Sequence, residues 1–466
     1  MRNVPPHMIR LTYLIETDGS PEKLAAKIAS DQSTGTFVAV PGETEELKAR
    51  VAARVVAVRP MPPSQAPSFP SSAAGPFNRA EADIDFPFDA IGTDLAALMT
   101  ITMGGIWSIR GFTGIRVTGM RLPEEFRGAH PGPQFGVAGS RRLTGVHGRP
   151  IIGTIVKPAL GLRPHETAAL VKELIDADVD FIKDDEKLAS PSYSPLEARV
   201  KAIMPLILER EQKTGRKVMY AFGISHADPD EMMRNHDIVL KAGGNCAVIN
   251  INSIGFGAMA FLRKRSGLVL HAHRNGWDVL TRHPGLGMDF RVWQQFWRLL
   301  GVDQFQINGI RVKYWEPDES FVESFKAVTT PLLGTAACLP VAGSGQWGGQ
   351  AHDTYTRTGR TLEELSRQVD ALIVTRGAEG SFIHTGGQRI DIPCVKPEAV
   401  IDPTGCGDAY RAGLLYGIAT GRDWQTTGQL ASLMGSLKIA SRGGQNHAVT
   451  RAEIAKQYRH HFGTEL

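Results

Sequence analysis

Residues 174–186 read LIDADVDFIKDDE. Apolar residues interleave with aspartates up to Phe181 and Ile182, and Lys183, Asp184, Asp185 and Glu186 then stand side by side. Charges at the end of an apolar strand are costly to bury unless something pairs them. The same texture recurs along the middle of the chain. PIIGTIVKP (150–158), VDFIKDDE (179–186), KVMYAFGISH (217–226), CAVININSIG (246–255), GLVLHAHR (267–274), QFQINGI (304–310) and ACLPVAGSG (337–345) are apolar runs that end in polar residues. Amphipathic helical patterns such as HETAALVKELIDA, SPLEARVKAIMPLILEREQKTG and DFRVWQQFWRLLG lie between them. Near-continuous apolar strands alternating with amphipathic helices imply a buried parallel sheet. Seven in succession favour a (β/α)8-type TIM barrel over a doubly wound sheet. The polar residues then gather at one mouth, where barrel catalysis takes place.

The chemistry expected there follows from residue types. Asp185 and Glu186 offer oxygen ligands suited to a hard ion such as Mg2+. Lys183 lies two residues before Asp185, so on a strand both point the same way. An ammonium would repel the ion, whereas a lysine carbamate formed with CO2 would offer an oxyanion. A plain solvated charge cluster is the alternative. His271 and His273 share one strand face and are either hydrogen-bonded core-edge histidines or groups that move protons and touch an anionic substrate. Arg274 would help through a bidentate grip. Lys157 and Lys313 are cations near two strand ends and suggest a phosphorylated or carboxylated substrate, with Lys157 a candidate proton carrier. Ser344 lies in AGSGQWGGQ (342–350), whose backbone N–H groups could surround an anion. These groups suit a metal-held ene-diolate, leading to isomerisation, carboxylation or decarboxylation.

Bulk properties narrow the class. The 466 residues allow two or three domains, and 21% charged with 42% hydrophobic residues suits a soluble globular protein. A net charge of +4 is too weak to argue for nucleic acid. The 4 cysteines form no CxxC pair, which favours a reducing compartment. With no apolar run of transmembrane length and no signal-peptide core, the expectation is a cytoplasmic protein with no membrane partner. Upstream, MIRLTYLIE, GTFVAVPG and RVVAVRP read as strands of a small α/β unit, and SPEKLAAKIASD as a capped helix. The Pro/Ser-rich segment 60–78 reads as a linker or an ordered loop.

These motifs resemble the large chain of ribulose-bisphosphate carboxylase/oxygenase (RuBisCO) over roughly residues 8–355. GTIVKPALGL (153–162) resembles the strand carrying the catalytic lysine, here Lys157. DFIKDDE resembles the activation motif, which makes Lys183 the carbamylated lysine and Asp185 and Glu186 the metal ligands. LHAHR (270–274) implies that His273 and Arg274 contact substrate, with His271 near the site, and Lys313 falls where a mobile-loop lysine belongs. SDQSTGTF (30–37), with Asp31 and Thr36, resembles a motif that completes a partner subunit's site. The resemblance therefore implies an antiparallel homodimer, or an oligomer built from such dimers. It also implies an N-terminal ferredoxin-like α+β domain (1–145) before a barrel domain (146–360). Departures stand beside these matches. Asp31 replaces a glutamate, Gly105 an asparagine, Ala159 a lysine, and Trp277 and Gln306 histidines. They point to a RuBisCO-like protein of the form IV type. The favoured expectation is decarboxylation or hydrolysis of a 3-oxo sugar-acid phosphate such as oxo-isoapionate phosphate. A methionine-salvage enolase or isomerase, a true carboxylase and an inactive fusion scaffold are the alternatives.

From 361 the chain resembles the C-terminal part of a PfkB-type sugar or nucleoside kinase, of the ribokinase/adenosine kinase family. GCGD (405–408) implies an anion hole with Gly405 and Gly407 and a catalytic base, Asp408. TRGAEGS (375–381) resembles part of a nucleotide site, with Gly377 and Gly380. The segment (361–466) covers about a third of such a kinase and lacks most of the sugar pocket. That absence argues against kinase activity and places ATP below Mg2+ among the expected cofactors. VDALIVTRG (369–377) is the candidate for an atypical eighth barrel strand, with Gly377 and Gly380 as a substitute phosphate grip.

Overall fold

The computed structural model describes residues 5–35, 40–71, 75–309, 316–317, 319–343, 369–443 and 448–466. The chain divides into two compact units, with the boundary after Ala342.

The first unit opens with strands β1 (Met8–Thr17), β2 (Arg54–Ser64), β3 (Phe77–Pro87) and β4 (Gly114–Arg121). They order as β4-β1-β3-β2, with β1 antiparallel to both β3 and β4. This is the strand order of a ferredoxin-like fold. Ile9, Leu11, Tyr13 and Ile15 alternate along β1 and are fully buried with Leu24, Ala25 and Ile28 of the helix Pro21–Asp31. Each of the leucine and isoleucine side chains contributes about 1.5–3 kcal/mol relative to exposure. Ser20 caps that helix by accepting from the Lys23 amide, and Pro21 occupies its first turn. On the opposite face of β1, Arg10 grips Asp85 of β3 with two hydrogen bonds of 2.6 and 2.8 Å. The Pro/Ser-rich segment is an ordered loop where described: the Phe69 amide donates to Thr113 O and the Ser68 amide to Glu16 Oε1. The strand expected at GTFVAVPG falls largely on residues 36–39, outside the described residues.

Strands β5 (Gly153–Ile155), β6 (Phe181–Lys183), β7 (Met219–Gly223), β8 (Cys246–Asn250) and β9 (Val269–His273) follow. The short β10 (Leu286–Met288) leaves this series and pairs parallel with β4. β11 (Gln304–Ile307) and β12 (Leu339–Ala342) complete an open, all-parallel sheet in the order β12-β11-β9-β8-β7-β6-β5. It is a half-barrel version of the expected TIM barrel.

A period of two sorts its residues. Ile182, Tyr220, Phe222, Ala247, Ile249, Leu270 and Phe305 join the helices in one large core. Phe181, Met219, Ala221, Cys246, Val248 and Val269 form a second, inner cluster with Phe135, Leu143 and Ile151. Lys183, two residues after Phe181, therefore falls on the inner face at its strand end, as do His271 and His273 after Val269.

The second unit has its own small core of Val395, Leu430, Leu433 and Tyr458. Strands β13 (Ala371–Thr375), β14 (Ser381–Thr385) and β15 (Gln388–Ile392) form an antiparallel meander. This corrects the placement of 369–377 in an eighth barrel position, because β13 pairs antiparallel with β14 whereas the barrel needs a parallel partner. Gly377 and Gly380 take φ of 61° and 84° and fold the chain back between β13 and β14. A Cβ at Gly380 would lie 2.3 Å from Ile392 O, so only glycine fits. The helices Cys406–Ala419 and Trp424–Ile439 pack closely, since a Cβ at Gly413 would sit 2.6 Å from Ala431 Cα. Among the described residues no helix is long and apolar enough to cross a membrane.

Candidate active site at the strand ends

The four charged residues after Ile182 separate by face. Asp184 turns toward the helices and is fully buried. Tyr220 donates to it at 2.7 Å, the Gly223 amide at 3.0 Å and Arg199 at 3.3 Å. Its carboxylate ties β6 to β7 and to the helix Leu196–Thr214.

Lys183 is buried on the inner face, where its ammonium donates to Asp184 O at 2.8 Å and lies 3.6 Å from Glu186 Oε2. Burial pushes its pKa down, against the pull of Glu186 and Asp185. Asp185 is paired with Lys157 from the end of β5 and with Lys187 at 3.3 Å. Burial alone would raise its pKa, but the Lys157 hydrogen bond and the Lys187 amide hold it at about 2. Glu186 is likewise held low. Burial opposes its ionisation, and His273, whose Nε2 lies 3.4 Å away, is the main group favouring it. Both carboxylates are therefore ionised at neutral pH. Among the described residues no group of three His, Cys, Asp or Glu side chains could hold a metal.

His271 lies deeper than His273. Its ring lies 5.3 Å from that of Phe181, tilted by 30°, and its Nδ1 meets Gln304 Oε1 at 3.1 Å. That oxygen only accepts, so Nδ1 carries the proton. Burial, reinforced by Lys183, pushes the His271 pKa down to about 3. Arg274 pairs with Glu316 and lies 4.0 Å over the Phe290 ring. Asn250 Oδ1, Gln306 Oε1 and Asn308 Oδ1 are buried acceptors with no partner among the described residues. Lys313, Thr36 and Ser344 lie outside the described residues.

The structure thus brings Lys157, Lys183, Asp185, Glu186 and His273 together. Two participants were not singled out from the sequence. Lys187 directly follows KDDE, and its position was the available signal. Glu316 sits in a segment whose sequence pattern gives no sign of its contacts.

Residues 7–126 and 136–366 match the N-terminal and catalytic domains of the ribulose bisphosphate carboxylase large chain, and residues 345–451 match the pfkB family carbohydrate kinases. A 3-oxo-isoapionate-4-phosphate decarboxylase from Rhizobium etli is 72% identical over 84% of this chain and 92% of its own length. The enzyme of that name from Rhizobium rhizogenes is 76% identical over 77% of this chain and 86% of its own. The chain belongs to the RuBisCO family, in its RuBisCO-like branch. A crystal structure of a rubisco-like protein from Burkholderia fungorum matches with a TM-score of 0.69 and 38% identity, covering 76% of this chain and 86% of that one. The protein is a RuBisCO-like enzyme.

Two departures of this RuBisCO-like chain from the carboxylase pattern have local explanations. A side chain at Gly105 would begin 2.7 Å from the Gln32 amide nitrogen, and Gln32 itself donates to Asp31 at 2.7 Å. Trp277 is buried and stacks at 4.8 Å on Trp293, so it serves the core behind Arg274.

In the kinase-like segment, Gly405 precedes the helix Cys406–Ala419 with φ of 81°, and Gly407 lies in its first turn. Asp408 is 71% exposed and pairs with Arg411 of the same helix. Gly377 and Gly380 serve the β13–β14 turn.

Proposed function

We propose that the protein is a Mg2+-dependent decarboxylase of a phosphorylated 3-oxo sugar acid, with 3-oxo-isoapionate 4-phosphate as its substrate. The observation that carries this reading is 72% identity to a decarboxylase of that compound across 92% of the relative's length.

The donor set suits the ion. Asp185 and Glu186 are ionised oxygen donors on neighbouring positions, and the ion would take the place that the Lys157 and Lys187 ammonium groups fill beside them. Lys183 contributes a third oxygen only as a carbamate, and the lowered pKa of its buried amine favours the neutral form that reacts with CO2. When bound, Mg2+ would stabilise negative charge developing on substrate oxygens.

Decarboxylation of a 3-oxo acid breaks the bond to the carboxylate carbon and leaves the electron pair as an enolate. A proton must then reach carbon. Lys157 is our candidate for its delivery, because Asp185 fixes its ammonium while 45% of the side chain stays exposed. His273 orients Glu186, while His271, held by Gln304, stays deeper in the sheet. Lys313 and Ser344 are assigned to the substrate phosphate, and Asp31 and Thr36 to a partner subunit's site in a homodimer. We assign the kinase-like segment neither ATP nor phosphoryl transfer.

The test is CO2 release from 3-oxo-isoapionate 4-phosphate with Mg2+ and bicarbonate, comparing wild type with Lys183→Ala. The variant is expected to lose about 100- to 1,000-fold or more. Equal release from both proteins would refute the assignment.

A further inference from the structure

Arg274 follows His273 at the carboxyl end of β9, where the mouth would meet an anionic substrate. One nitrogen of its guanidinium, Nη2, already carries two acidic contacts. Arg274 and Glu316 form an ion pair whose side chains are 1% and 3% exposed, and Asp278 lies a further 3.4 Å from the guanidinium. Glu316 is itself fixed from three directions. Asn308 at the end of β11 donates to Oε2 at 2.9 Å, Ser320 donates to Oε2 at 3.2 Å, and Thr281 donates to Oε1 at 3.3 Å.

A guanidinium recognises phosphate through the same planar fork that it offers a carboxylate. A buried carboxylate held by four donors balances the charge of that guanidinium and sets a negative charge where a phosphate would have to sit. Juxtaposing like charges in a site of this kind suppresses the wrong partner.

We propose that Glu316 is a specificity determinant that makes the Arg274 corner refuse a phosphate, so that the mouth takes sugar-acid monophosphates and rejects bisphosphates. This rests on the reading above, in which the substrate carries one phosphate, and adds the residue that enforces it. Glu316 acts through Arg274 and is a positioning residue.

The test is calorimetric titration of ribulose 5-phosphate and ribulose 1,5-bisphosphate, with Mg2+, into wild type, Glu316→Gln and Glu316→Asp. Wild type is expected to bind the bisphosphate no more tightly than the monophosphate. Glu316→Gln should tighten bisphosphate binding by about tenfold or more and change monophosphate binding by less than about threefold. Glu316→Asp, which keeps the charge, should discriminate as wild type does. A merely structural Glu316 would weaken both probes alike. Equal changes for both probes, no change for either, or no binding of either probe to any variant overturns the proposal. Should Glu316→Gln fail to fold, Glu316→Ala removes the same charge in a smaller side chain and lets water meet the Asn308, Ser320 and Thr281 donors. It should show a gain in the same direction, and its absence counts against the proposal. CO2 release from 3-oxo-isoapionate 4-phosphate on the same wild-type preparation tests the parent reading separately. Absent turnover refutes that reading, while the probe selectivity still decides the role of Glu316.

Discussion

Asp185 in the barrel and Asp408 in the kinase-like segment are both acidic residues that resemblance marks as functional, yet their surroundings differ sharply. Asp185 is 1% exposed and lies between Lys157 from one strand end and Lys187 from the turn beyond β6. Asp408 is 71% exposed, and its partner Arg411 lies one turn along the same helix. In the barrel, residues distant in sequence converge on a carboxylate under low dielectric, where each interaction is strengthened. In the tail, a single helix supplies both partners and the carboxylate itself stands in water, where such pairs contribute little. The chemistry of a carboxylate therefore depends less on its motif than on how many elements close around it.

The sharpest way to break the comparison is to remove a convergent carboxylate that does no chemistry. Asp184→Asn leaves Arg199 as a buried charge without its counter-ion, with the Tyr220 and Gly223 donors poorly matched. Losing one partner of a buried pair typically costs about 3–5 kcal/mol. Thermal unfolding followed by circular dichroism should show the first transition shifted well down. Replacing both partners, as in Asp184→Leu/Arg199→Met, should recover much of the loss. A single variant as stable as wild type would show that convergence on Asp184 has no energetic weight.

A smaller effect is expected from His271, whose folded pKa is about 3 against about 6.5 in an unfolded chain. Above pH 6.5 the imidazole is neutral in both states and its full contribution is present. Below that, the unfolded chain takes up a proton that the fold refuses, so stability is lost as pH falls toward 3. The limit is about 1.4 kcal/mol per pH unit. His271→Gln should flatten the pH dependence of denaturant midpoints between pH 6.5 and 4 relative to wild type. Parallel curves would place the titration elsewhere.

What could be read from the sequence follows the range of the forces involved. The strands, and the inward aim of Lys183 and His273, follow from a period of two that is local to each run. Asp184 escaped, because its role depends on Arg199 and Tyr220, 15 and 36 residues away. Glu316 escaped for the same reason, since its arginine lies 42 residues earlier. VDALIVTRG shows a different failure. An apolar run fits a parallel strand or a hairpin arm equally well, and pairing decides between them. The glycines at 377 and 380 carried the turn signal, but a phosphate grip and a tight reversal both use positive φ.

The smallest expected effect is the most discriminating test of the comparison. Asp408→Asn removes the charge that a phosphoryl-transfer base would need while keeping the size of the side chain. Among the described residues its ionic partner is Arg411, one turn along the same helix, and the amide oxygen of asparagine can still accept from that guanidinium. The helix Cys406–Ala419 packs through Ala409, Gly413, Leu414 and Gly417, none of which the substitution touches. CO2 release and the unfolding midpoint should therefore both stay near wild type, with activity within about twofold, as surface substitutions away from special features usually do. A large loss of CO2 release with an unchanged midpoint would mean that the kinase-like segment takes part in the chemistry. Burial and convergence would then be insufficient criteria for a functional carboxylate in this protein. A small effect leaves them standing, because the residue with the more suggestive motif would have proved the less consequential of the two.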